Sequence, residues 1–122
     1  MLQIFILELI FLHLLEQIFI QLVLGKVIFT GFYGADGYTV IIENKNFKII
    51  YAHVSPHFVV RKNQNIFKSE KIGEVGPLYI ECSKNTKYFD KNGKKTNGAT
   101  TGPHLHITIK KDGIAVNPLD FL

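Results

Sequence analysis

The chain has one cysteine, no tryptophan, and no lysine, arginine, glycine or proline in its first 24 residues. The single Cys82 excludes an intrachain disulfide and leaves the redox compartment undetermined. Set in a Lys- and Asn-rich stretch, Cys82 reads as incidental rather than as a nucleophile. The absence of tryptophan decides nothing, and the sequence carries no internal repeat. At 122 residues there is room for one domain with a real core and not for two ordinary ones.

What residues 1–24 lack is more informative. "MLQIFILELIFLHLLEQIFIQLVL" has neither the basic n-region nor the small-residue cleavage site of a signal peptide. It is long enough to span a bilayer, but Glu8 and Glu16 would each oppose insertion by about 2–3 kcal/mol. Membrane association through this segment is therefore disfavoured. Its many leucines are good helix formers, so an N-terminal apolar helix is the expectation.

The composition changes at Gly25. All fourteen Lys and Arg and eight of the ten acids lie at or after Lys26, leaving that region with six net positive charges. Such basicity suits an anionic partner such as a cell-wall polymer or nucleic acid, and it also simply keeps a small domain soluble. Ten Phe and five Tyr, with many Ile and Val set among ten Gly and four Pro, favour strands and tight turns over a helical bundle.

Strands are expected at "KVIFTGFY" (26–33), "YTVIIEN" (38–44) and "FKIIYAHVS" (47–55), the first pair separated by the turn "GADG". Asn44-Lys45-Asn46 should close a tight hairpin. Residues 57–76 contain a short strand, a polar turn and another short strand. Residues 81–98 read as a long loop, and "HLHITIKKDGIAVNPLDFL" as a strand, an Asp112-Gly113 turn and a strand ending at Pro118. The expected fold is mostly β: an antiparallel sheet rolled around a cleft.

Two histidines, His104 and His106, follow Gly102-Pro103. In a strand, residues two apart share a face, so their imidazoles should share one site. An arbitrary His-x-His is more often a solvent-facing pair on an edge strand; the preceding turn weighs toward function. His53, in "YAHVS", is a third candidate. His57 reads as exposed loop, and His13 belongs to the apolar segment.

"GKVIFTG", "YAHVS", "IGEVG", "TNGATTGPHLHITI" and "NPLDFL", in this order, resemble the M23 zinc metallopeptidases, the lysostaphin- and LytM-like peptidoglycan endopeptidases. The resemblance runs from Gly25 to Leu122, with a loop insertion at about 77–96. It implies that His106 ligates Zn2+, that His104 polarises or deprotonates the attacking water, and that His53 orients water and stabilises the oxyanion. Zinc would lower the pKa of its bound water to about 7 and polarise the scissile carbonyl, with neutral imidazoles managing the protons. The implied substrate is a peptide bond of peptidoglycan, and the implied location the cell envelope, periplasm or exterior. No nucleic-acid partner is implied.

The family pattern also needs a His and an Asp from an upstream His-x-x-x-Asp, about twenty residues before Gly25. Counting back reaches Ile6 and Ile10, which are not ligands. His13 and Glu16, one helical turn apart, have only proximity to recommend them. Catalytic zinc sites normally use three protein ligands, so His106 alone would hold the metal poorly.

Codons for residues 5–24 can be chosen whose shifted frame reads "HFGIDIFAPSGTNIYSAS", which looks like the missing segment. Part of that agreement is selected by the choice of wobble bases. A frameshift close to Gly25 follows as a hypothesis, under which residues 1–24 lie outside the family domain of 25–122. The rival readings are a non-catalytic relative that binds peptidoglycan or regulates a hydrolase, and a membrane-anchored module.

Overall fold

A computed structural model describes residues 3–5, 24–67, 70–81, 87–102 and 105–117. Its strands, in chain order, are β1 (Gln3–Phe5), β2 (Leu24–Phe32), β3 (Tyr38–Asn44), β4 (Phe47–Ala52), β5 (Asn65–Phe67), β6 (Lys71–Glu74), β7 (His106–Lys111) and β8 (Ile114–Val116). Six of them form one antiparallel sheet in the order β5-β2-β3-β4-β7-β8, and β1 pairs antiparallel with β6.

The turns follow from local chemistry. A short 3₁₀ turn, Gly34–Asp36, joins β2 to β3. The β3–β4 hairpin turns at Lys45, whose φ is 54°. The β7–β8 hairpin has φ of 53° at Asp112 and 80° at Gly113, the two successive left-handed residues that a type I′ turn requires.

Alternation places the core. Along β4, Phe47, Ile49 and Tyr51 are buried while Lys48 is exposed, as period two demands of a half-buried strand. Register then lines up Val27, Ile42, Ile49 and Ile109 across four strands, all buried. Val54, Val60, Ile66 and Ile72, from β5, β6 and the connecting segments, close the cluster from below. Fully burying each such side chain stabilises by about 1.5–3 kcal/mol before entropy is counted.

The opposite face of the sheet has three rows. Gly31 with Thr39, and Ala52 with His106, form the first; Phe29, Ile41, Ile50 and Thr108 the second; Lys26, Glu43, Lys48 and Lys110 the third. Small residues thus floor the end of the sheet where His106 stands.

One expectation changes. No α-helix occurs among the described residues, and the described part of the N-terminal segment, Gln3–Phe5, is a strand, so the apolar N-terminal helix is not supported. Short apolar runs are ambiguous between helix and strand from periodicity alone, and β6 offers an edge whose backbone groups three residues can satisfy. Residues 6–23 lie outside the described residues. Residues 81–98 form no strand or helix where they are described, in keeping with the expected long loop. Isolated antiparallel bridges join Phe89 to Lys95 and Tyr79 to Thr96. Among the described residues no helix is long and apolar enough to cross a membrane.

Candidate active site

β4 ends at Ala52, and the next residue, His53, takes φ of 57°. A non-glycine residue in the left-handed region is uncommon and costs of order 1 kcal/mol or more, so something must hold it there. Its N–H donates to the Asp36 carbonyl at 2.8 Å, and its carbonyl accepts the Gly76 N–H at 2.9 Å. Strict alternation from β4 would send residue 53 to the core side. The left-handed conformation instead stacks the His53 ring on that of His106, centroids 6.2 Å apart and planes 24° apart.

His106 opens β7 directly opposite Ala52 and is exposed, whereas His53 is buried. Two of the three histidines named from the sequence therefore come together at one end of the sheet. The third, His104, lies outside the described residues, as does Cys82. His57 is exposed and lines a cavity of about 400 Å³ with Tyr38, Pro77 and Tyr79.

The His53 ring is oriented by a main-chain group. Its Nδ1 lies 2.6 Å from the Asn97 carbonyl oxygen. A carbonyl only accepts, so Nδ1 carries the proton, and in the neutral ring Nε2 carries the lone pair. His53 is thereby set up to accept a proton at Nε2.

Asn97, which the sequence reading passed over, ties the site together. It is fully buried. Its Oδ1 accepts the Tyr38 N–H at 2.7 Å, and its Nδ2 donates to the carbonyls of Val54, at 3.0 Å, and Pro77, at 3.3 Å. Its N–H donates to the Leu78 carbonyl at 2.8 Å. Glycines make room for it: a Cβ on Gly37 would run into the Asn97 carbonyl and side-chain oxygens, and one on Gly76 into the Val54 carbonyl. The only sequence signal was its place in "TNGATTGPHLHITI".

Among the described residues, no three of His, Cys, Asp and Glu gather into a metal-holding group. His106 is one donor, and Nδ1 of His53 is committed to Asn97. Among the described residues these donors do not complete the three-ligand set of a catalytic zinc site.

The family model of peptidase family M23 matches residues 22–118. The chain belongs to this family. Stage II sporulation protein Q of Bacillus subtilis is 41% identical over 53 residues, which are 43% of this chain and 19% of that protein. A zinc containing peptidase from Vibrio cholerae superposes with a TM-score of 0.58 at 25% identity, covering 79% of this chain and 24% of that one.

A structure from Pseudomonas aeruginosa described as a peptidase M23 gives 0.60 at 26%, covering 81% and 35%. The SpoIIQ–SpoIIIAH pore forming complex gives 0.55 at 25%, covering 82% and 52%. The M23 domain here thus spans about a fifth of the curated relative and a quarter to a half of these solved chains. The mostly β, antiparallel architecture agrees with theirs.

Proposed function

We propose that this chain is a peptidoglycan-directed M23 domain, a zinc metalloendopeptidase in kind, whose hydrolytic centre is impaired in this sequence. His106 is the retained zinc ligand, His104 the residue that manages the proton of the attacking water, and His53 the residue that orients water and the oxyanion. The observation that carries the reading is the stacked pair of His53 and His106 over a floor of small residues, with the His53 tautomer fixed by Asn97. Family membership supports peptide bonds of peptidoglycan as the substrate class and an envelope or extracellular location.

The impairment comes from the segment before Gly25, which carries no His-x-x-x-Asp where the family pattern needs one. A frameshift near Gly25 accounts for this, with 25–122 as the domain proper and 77–96 as its insertion. Sequencing the gene decides it: codons that cannot read "HFGID" in the shifted frame end the idea. For the function itself, purified chain is incubated with peptidoglycan sacculi. It should sediment with them and release peptides only at background rate. A version with the upstream motif restored should release them, and His106→Ala in that version should abolish release. Equal release by the chain as it stands, or neither binding nor release by the restored version, overturns the reading.

A second reading is a non-catalytic module that binds wall peptides or a protein partner. The 41% identity to stage II sporulation protein Q favours it, since SpoIIQ is seen in complex with SpoIIIAH. It predicts that restoring the upstream motif adds no hydrolysis.

A further inference from the structure

The third row on the face opposite the core is cationic. Lys26, Glu43, Lys48 and Lys110 are successive cross-strand neighbours on β2, β3, β4 and β7. Three strand spacings put the outer two about 14 Å apart. Lys48 and Lys110 stand directly opposite each other, an arrangement in which like charges repel and the sheet loses stability. Glu43 offsets only part of this: its carboxylate lies 3.6 Å from the Lys48 ammonium, and no ion pair joins Lys26 or Lys110 to another described residue.

Lys26 and Lys48 are exposed and Lys110 is half-buried. Glu43 is the one acid on this face among the described strand residues. Along β7, Lys110 is four residues from His106 on the same face, so the row runs about 13 Å from the histidine pair.

We propose that this row is a docking site for a linear polyanion of the cell wall, a phosphodiester glycopolymer that crosses the strands and holds the histidine end of the face against the wall. A chain of repeating negative charges relieves the Lys48–Lys110 repulsion, and several ammonium groups in line gain more from a polymer than from a single ion. The choice of a wall polymer over nucleic acid rests on the envelope reading above. The test does not use hydrolysis, so failure to cleave and failure to dock are separate results.

Full-length chain is titrated with poly(glycerol phosphate) at low and at physiological salt, beside duplex DNA of equal charge. Binding that weakens steeply with salt is expected, as counterion release requires. The Lys26→Gln, Lys48→Gln, Lys110→Gln variant should bind at least tenfold more weakly with a shallower salt slope. A charge-matched control, Lys62→Gln, Lys87→Gln, Lys91→Gln, should stay within twofold of the parent. No binding at low salt overturns the proposal, as does equal loss in the control, an unchanged slope in the row variant, or DNA binding as tight as the polymer.

Discussion

The Nδ1–H of His53 donates to the main-chain carbonyl of Asn97 across 2.6 Å and 44 residues of sequence. This bond fixes which nitrogen of the buried imidazole carries the proton. In the neutral protein, the nitrogen resonances of His53 should therefore report the Nδ1-protonated tautomer, the minority form of a free imidazole. An Nε2-protonated His53 would show that the bond does not form.

Asn97→Ala removes both side-chain donor–acceptor functions from a fully buried position. The Tyr38 N–H and the Val54 and Pro77 carbonyls lose a partner together. Each orphaned buried group costs about 1–3 kcal/mol, so a loss of about 3 kcal/mol or more is expected in urea unfolding, with the His53 tautomer blurred even where the fold survives. A loss below about 1 kcal/mol would show that water replaces the amide at little cost.

Two glycines in one turn give a matched comparison. Gly37 has φ of 65° and would drive a Cβ into Asn97, whereas Gly34 has φ of 53° with nothing within 4 Å. Gly34→Ala should cost about 1 kcal/mol for backbone strain alone. Gly37→Ala should cost clearly more, by about 2 kcal/mol, and should shift the His53 resonances. Equal costs would mean that the contact with Asn97 relaxes.

Tyr51 is fully buried in the core, and its hydroxyl has no hydrogen-bond partner among the described residues. Burial pushes its ionisation well above the ordinary 10.0. Tyr51→Phe relieves the core of an unpaired hydroxyl at the same shape, so the melting temperature should hold or rise. A drop equivalent to about 1 kcal/mol or more would reveal a partner for that hydroxyl.

Asp90 organises the 87–96 excursion. The Lys94 N–H, foremost, and the Tyr79 hydroxyl hold its carboxyl below the ordinary 3.8. A depressed carboxyl contributes local order above its ordinary value and loses it as pH falls through the lowered one. The amide signals of Asn92 and Lys94 should therefore stay put as pH falls to the ordinary 3.8 and collapse only below it. A midpoint at or above the ordinary 3.8 would contradict the assigned bonds.

The sequence made much of the sheet legible. β3 covers the whole of the β-branched stretch expected at 38–44, and the hairpins at Lys45 and Asp112-Gly113 carry their own turn chemistry. His53 and His106 could be named because they fall in motifs. The left-handed backbone of His53 could not be foreseen, since it is imposed by a hydrogen bond to the Asp36 carbonyl and one from the Gly76 N–H, far off in the chain. Asn97 was hidden for the same reason: a polar residue in a Lys- and Asn-rich stretch gains its role only when three distant segments close around it. The strand at Gln3–Phe5 was missed because an apolar run without turns has no period to read.

The direct measurement is the zinc content of the purified full chain beside a version carrying the upstream His-x-x-x-Asp, both dialysed against the same zinc buffer. The stacked histidines as half of an unfinished metal centre predict well under one zinc per chain for the first and one for the second. One tightly held zinc in the chain as it stands, or none in the restored version, would contradict it.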